Sequence, residues 1–273
     1  MLPGIKPSSG AMATDEDDFF DILTALGFTT NLAACFDMGS ASCYDGSGQT
    51  VSDLSGNSVD WWLGDDVTVE ANDPTFQGVS GDLSESEFLE IRKVTTAEMI
   101  DDKAGVGGLM DTVHGIGGLG TVLLIMRVDA LTTSTAAVFG TVNGGTSAFP
   151  GFLCQVVGST NLMRMTVRNG SAIIAIDGPS WTDDIWHMFS WRLDEATPIW
   201  RMGRDKTYSG GTDAYTGGGT SGGVPRLGQR SDINQGVDAD VMMGAFWDGT
   251  YLSDANLDTI YDELNAGRVP SLT

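Results

Sequence analysis

The chain has 273 residues, 41% of them hydrophobic, enough apolar side chain to bury a sizeable core and to exclude disorder of the whole chain. Its 37 acidic against 14 basic side chains leave a formal charge of -23, so a nucleic-acid or anionic-membrane surface would form against the mean field, and neither partner is expected. Thirty-seven glycines imply many turns and little long exposed helix.

Residues 1–14 are rich in Pro, Gly and Ser and read as an arm. In TDEDDFFDILTALGF, Thr14 is placed to cap a helix, acids fill its first turn, and Gly27 stops it. Phe19, Ile22, Leu23 and Leu26 share one face, which is expected to dock on the chain's own domain or on a neighbouring subunit. Residues 1–30 thus form an arm-and-helix unit suited to anchoring, with Phe19 and Leu23 as candidate contacts.

From NLAACFDMG onward the hydrophobic period shifts toward two. TVSDLSGNSVDWWLG brings a turn at Ser55-Gly56-Asn57 and then Trp61-Trp62. Adjacent strand residues point opposite ways, so one of these tryptophans is left for a ligand or a covering element. FLEIRKV, GTVLLIMRVDAL, AAVFGTV and GFLCQVV read as strands, and the run Leu123-Leu124-Ile125-Met126, apolar at both parities, as a strand covered on both sides.

In NLMRMTVRNGSAIIAIDG, Leu162, Met163, Met165 and Val167 lead into Asn169-Gly170, whose tolerance of positive φ suits a tight turn, and Ile173, Ile174 and Ile176 return. This reads as a sheet hairpin with no chemically poised group. IWHMFSWRL and PIWRMGRDK continue the strand pattern. YSGGTDAYTGGGTSGG is too poor in apolar side chains for a core strand and reads as a surface loop, with Tyr208 and Tyr215 as candidate ligand or subunit contacts. It has neither of the glycine patterns that cradle nucleotide phosphates. DADVMMGAFWDGTYLS gives a last strand, and Ser253 caps a helix on which Leu257, Ile260, Tyr261 and Leu264 form one face before Gly267. Residues 267–273 are expected to be an extended tail or small contact arm.

Cys35, Cys43 and Cys154 lack metal-ligand spacing and read as three reduced, buried thiols, with a Cys35–Cys43 disulfide as the alternative. No stretch reaches 18 uninterrupted apolar residues, and the first residues turn acidic where a secretory signal needs an apolar core, so neither a membrane span nor secretion by that route is expected.

The order of features resembles the concanavalin A-like, laminin-G-like jelly roll carried by many bacteriophage virion proteins. The resemblance rests on Asp53, Leu54, Ser55, Gly56 and Asn57 for an opening turn, Leu227 and Gly228 for a late strand, and Leu252, Ser253, Asp254 and Ala255 for the entry to the last helix. It implies an all-β, two-sheet antiparallel sandwich over residues 31–266 with an N-terminal helix and a short C-terminal helix. It also implies a virion structural protein, in head decoration or in a tail or fibre, that assembles non-covalently with its own copies and with other virion proteins. The alternative is a carbohydrate-binding module that attaches to host glycans, with an exposed aromatic among Trp61, Trp62, Tyr208 and Tyr215 stacking on the sugar.

Enzymatic activity is not expected. Jelly-roll glucanases place two carboxylates on one strand face. Glu85, Glu87 and Glu90 approach that spacing, but the step from Glu87 to Glu90 changes parity. His114 and His187 are too few for a metal cluster or a set of catalytic bases. No cofactor is implied beyond a candidate structural Ca²⁺, whose need for six to eight oxygens points to Asp232, Asn234, Asp238 and Asp240, or to Asp37/Asp45 and Asp53/Asn57.

Overall fold

The computed structural model describes residues 17–64, 68–71, 73–92, 99–101, 113, 118–131, 135–142, 151–168, 173–212, 225–228 and 236–272. Helix α1 (Phe19–Leu26) is followed by strands β1 (Leu32–Asp37), β2 (Thr50–Val51), β3 (Trp61–Leu63), β4 (Thr75–Gln77), β5 (Phe88–Ile91), β6 (Met99–Asp101), β7 (Leu119–Val128) and β8 (Thr135–Gly140). Then come β9 (Gly151–Val157), β10 (Leu162–Arg168), β11 (Ile173–Ser180), β12 (His187–Asp194), β13 (Ile199–Arg204), β14 (Thr207–Gly211), β15 (Arg226–Leu227), β16 (Ala239–Asp248) and helix α2 (Asp254–Ala266).

Every described strand pairing is antiparallel. The first sheet runs β14-β13-β12-β7-β16-β5-β4, with β1 sharing the β5 edge of β16; the second runs β11-β10-β9-β8-β15-β6-β3-β2. This is the jelly-roll-like sandwich with a helix near each end of the chain. Between the sheets lie Leu124, Met126, Trp191 and Phe246 of the first and Val138, Cys154, Met163 and Met165 of the second. A separate apolar layer covers the outer face of the first sheet, where Phe19, Ile22 and Leu23 of α1 and Leu257, Ile260 and Leu264 of α2 meet Leu123, Ile125, Met243 and Trp247. The run at Leu123–Met126 is apolar at both parities because β7 is covered on both sides. Fully burying each such side chain contributes about 1.5–3 kcal/mol.

The helix ends obey local capping rules. α1 begins at Asp18, whose carboxylate accepts from the Asp21 amide at 3.0 Å and from the Ser40 hydroxyl at 3.0 Å. Thr14, the cap expected from sequence, lies outside the described residues. Gly27 ends α1 at φ 76°, the left-handed conformation that a glycine takes without strain. α2 opens with a reciprocal capping box between Ser253 and Asn256.

A buried ion pair ties these parts together. Asp37, at the end of β1, and Arg268, just beyond α2, have side chains 0% exposed and meet at 2.8 Å. The same carboxylate accepts from the Gly39 amide at 3.0 Å and from the Phe19 amide, the first of α1, at 3.1 Å. Arg268 also donates to the Ser84 carbonyl. Gly39 has no side chain because a Cβ there would collide with the Arg268 guanidinium. In the segment expected to be an extended tail or small contact arm, Val269 and Leu272 are buried against the chain and the Ser271 amide donates to Glu85 at 2.6 Å. Phe19 and Leu23 are likewise 0% exposed, so of the two dockings open to their helix face, on the chain's own domain or on a neighbouring subunit, these side chains take the first.

Replacing Arg268 with Ala leaves the Asp37 charge buried and unpaired, and urea unfolding is expected to show a loss of about 3–5 kcal/mol. A loss below about 1 kcal/mol would mean that the pair is peripheral to stability.

Candidate binding site

The two sheets turn very different faces outward. Helices and the C-terminal segment cover the first. On the second, β10 alternates strictly: Met163, Met165 and Val167 enter the inter-sheet core, which leaves Arg164, Thr166 and Arg168 on the outer parity. On β9, Phe152, Cys154 and Val156 point inward, and Leu153 and Gln155 outward. Arg164, Thr166, Arg168, Leu153 and Gln155, with Thr135 and Ala175, line a concavity of about 210 Å³.

Polar residues on an outer sheet face are ordinarily solvated. Here Gln155 is 4% exposed, Thr166 5% and Arg168 5%, so the polar groups are sunk below the surface and their rotamers are held. The Thr166 hydroxyl donates to Gln155 Oε1 at 2.6 Å, which orients the amide. Arg164 is gripped by Asp177 of β11 through a two-pronged contact, Nε to Oδ1 at 2.5 Å and Nη2 to Oδ2 at 3.0 Å. Behind the sheet, the indole of Trp191 crosses the core to donate to the Arg164 carbonyl at 3.1 Å, so the site backbone is fastened to the opposite sheet. The arrangement offers fixed hydrogen-bond donors and acceptors and a guanidinium wall, which suits non-covalent recognition of a small polar ligand.

A second, wider hollow of about 310 Å³ lies among loop residues Ser42, Asp45, Ser47, Gln49, Thr50 and Ser52. Thr50 pairs with Trp62 across β2 and β3, which sets that half-buried indole on the same outer face. Its partner Trp61 is 0% exposed in the inter-sheet core.

The remaining expected site residues are dispersed. Tyr208 is half-buried between sheet and helix, its hydroxyl donating to Asp258 at 2.8 Å and its ring lying 5.0 Å from the Arg192 guanidinium. Burial, with Asp258 as acceptor, pushes its phenol far above the ordinary range. It packs α2 against the sheet. Tyr215, Asp232 and Asn234 lie outside the described residues, as do His114 and the Asn169-Gly170 turn. Asp240 is ion-paired with Arg127 at 2.7 Å and Arg92 at 3.3 Å, which leaves it poorly placed as a calcium ligand, and Asp238 is half-buried beside it in sequence. Asp37 is consumed by Arg268. Asp53 accepts from the amides of Cys35, Ser55, Asn57 and Val59, and so organises the opening turn. Among the described residues no three His, Cys, Asp or Glu side chains gather as a metal site.

The acids suggestive of a glucanase also serve the fold. Glu87, 0% exposed, accepts from the Ser84 amide at 2.6 Å and from the hydroxyls of Ser84 and Ser86. Glu85 receives the Ser271 amide and Glu90 pairs with Arg92. His187 is buried beside Asp205 at 2.8 Å, a satisfied inner group on its Nδ1 side. Each of these described groups is therefore engaged in the packing of the fold.

The concavity-lining side chains Gln155, Arg164, Thr166 and Arg168 were not singled out by sequence reasoning, although the alternation of polar and apolar residues in LMRMTVR marks one outward face. What it does not mark is that this face sinks into a hollow.

No protein-family model matches the chain, and no curated protein matches it in sequence. Its fold does have relatives among solved structures. The binding domain of botulinum neurotoxin serotype G superposes with TM-score 0.60 at 9% identity, over 85% of this chain and 50% of that one. The binding domain of botulinum neurotoxin DC, solved in complex with SialylT, gives 0.56 at 10% identity, over 86% and 52%. A sialidase of Trypanosoma rangeli, solved with the inhibitor DANA, gives 0.53 at 11% identity, over 84% and 32%. This chain therefore spans about half or less of each of these proteins, and at such identity the likeness shows the fold alone.

Cys43 lines the loop hollow yet is 1% exposed, and Cys35 and Cys154 are 0% exposed; all three are free thiols. Burial pushes each well above the ordinary thiol range, so the reactive thiolate stays scarce even at mildly alkaline pH. Ellman titration at pH 8 is expected to find no fast-reacting thiol in the native protein and three in denaturant; a fast native thiol would contradict this packing.

Proposed function

We propose that the chain is a carbohydrate-binding module whose site is the hollow on the outer face of the second sheet. One observation carries this reading: polar side chains that an uncovered sheet would leave in water are buried to within 4–5% of full enclosure and cross-linked by their own hydrogen bond. A sugar needs fixed donors and acceptors spaced to match its hydroxyls, and preorganised ones spare the entropy of ordering them on binding. The jelly-roll fold shared with a sialidase and with toxin binding domains is in keeping with this reading. The loop hollow beside Trp62 is a subsidiary candidate, since an indole next to hydroxyl groups can stack on a pyranose face.

The test is a titration of the full chain against a panel of mono- and oligosaccharides, repeated with Gln155→Ala and Thr166→Val. Losing one such hydrogen bond is expected to weaken binding about tenfold while the melting temperature stays close to that of the parent. Failure of the parent to bind any sugar, or equal binding by both variants, would overturn the assignment.

A bacteriophage virion is our proposed setting for this module, as a head decoration or a tail or fibre component acting with its own copies and other virion proteins. Its support is the resemblance carried by Asp53–Asn57, Leu227–Gly228 and Leu252–Ala255, together with the turn that Asp53 organises. Residues 19–26 are part of the folded core, so the separable candidate for assembly is 1–16 alone. Light scattering is expected to give an oligomer that falls to a folded monomer when 1–16 are deleted; a parent that is already monomeric removes this setting's assembly mechanism.

A further inference from the structure

The N-terminal part of the sequence carries acids without bases of its own. No lysine, arginine or histidine occurs between Lys6 and Arg92, while Asp45, Asp53, Asp60, Glu70, Asp73 and Asp82 fall in the same stretch. The bases that reach it go to Glu90 and Asp37, which pair with Arg92 and Arg268. Asp45, Glu70 and Asp73 take part in no ion pair among the described residues. The loop hollow of about 310 Å³ opens inside this uncompensated stretch, and its described lining has one carboxylate, Asp45, and no basic side chain.

We infer that the loop hollow takes an amino sugar, its ammonium group against Asp45 and its ring beside Trp62. The inference rests on the carbohydrate-binding reading of this hollow and names its ligand class. Asp45 receives the Ser47 amide and hydroxyl on Oδ1, both at 2.9 Å, which fixes the carboxylate and leaves Oδ2 as an acceptor. Gln49, 7% exposed, gives Nε2 to Asp73 at 2.8 Å, and its Oε1 is enclosed without a donor. The hydroxyls of Ser42, Thr50 and Ser52 have no partner among the described residues and can turn toward those of a sugar. The fixed groups of the wall are thus short of donors, and the charge around them favours a cation.

A divalent metal matches this wall poorly. It takes six to eight oxygens with several carboxylates among them, and among the described residues no three acids gather. A primary ammonium has three N–H donors and a single charge, which one carboxylate and a few neutral oxygens satisfy. Trp62 adds a second selection. Its cross-strand pairing with Thr50 sets the two Cβ atoms about 5 Å apart, so the half-buried indole borders the wall. An indole face attracts both a cation and the apolar face of a pyranose, and an amino sugar presents the two on one ring. The volume lies at the lower end of the roughly 300–1,000 Å³ of small-ligand clefts, room for one such ring.

The experiment is calorimetric titration of the full chain at about pH 6 and about 0.15 M salt, where a sugar amine is protonated and distant charges are screened. Glucosamine and galactosamine are each compared with their N-acetyl forms and with glucose and galactose, so that only the group at C2 changes. At least one amino sugar is expected to bind about tenfold or more tighter than its two counterparts. Asp45→Asn, which keeps an acceptor for Ser47 and removes the charge, is expected to abolish that preference with the melting temperature unchanged. Trp62→Ala is expected to weaken every sugar that binds. Equal affinity within each series, a preference that survives Asp45→Asn, or full amino-sugar affinity in Trp62→Ala overturns the inference and leaves the carbohydrate reading standing. Calcium chloride that displaces the amino sugar at equal concentration overturns it in favour of a metal site. Absence of binding by every sugar of the series overturns both the inference and the carbohydrate reading of this hollow.

Discussion

A carboxylate and a guanidinium, both withdrawn from water, hold the ends of this chain together. Asp37 and Arg268 are 231 positions apart, and through the pair the start of α1, the end of β1, the turn at Ser84 and the segment after α2 share one buried junction. Such a pair costs several kcal/mol per ion to desolvate and repays it only when the remaining lone pairs and N–H groups are satisfied. The amides of Phe19 and Gly39 and the carbonyl of Ser84 provide that satisfaction, so the junction is geometrically exacting. Once it forms, both helices are held over the first sheet.

That placement gives the two sheets different outer faces. The outer face of the first sheet disappears beneath apolar helix residues, which is why β7 and β16 carry large apolar side chains at both parities. On the second sheet the outward positions of β9 and β10 mix Gln155, Arg164, Thr166 and Arg168 around a hollow. The Trp191 indole couples the two sides, since a residue of the buried first sheet fixes the backbone from which Arg164 projects.

Much of the fold was legible from local periodicity. The hairpin at residues 162–176, the strand at Leu123–Met126, the stop at Gly27 and the cap at Ser253 follow from rules that act over a few residues. The opposed tryptophans obeyed the two-residue alternation, with Trp61 in the core and Trp62 on the outer face. The function-bearing residues were much less legible. For Phe19, Leu23 and Tyr208 the sequence left the partner open, because an apolar or amphipathic side chain carries no mark of whether its partner is in the same chain. Asp240 looked like a calcium ligand because its arginine partners lie 113 and 148 residues away.

The sequence by itself determined the longer strands, the stop at Gly27, the cap at Ser253 and the face of the alternating strand residues, because those depend on periods of two and 3.6 and on turn chemistry within a few positions, whereas it placed the α1 cap at Thr14 rather than Asp18 and read Tyr208–Gly211 of β14 as a loop. Only the tertiary structure decided which sheet face the helices cover and that the other sinks into a hollow with arginines in its wall. Those outcomes depend on contacts between residues more than two hundred positions apart, and on strand neighbours whose register no local pattern encodes.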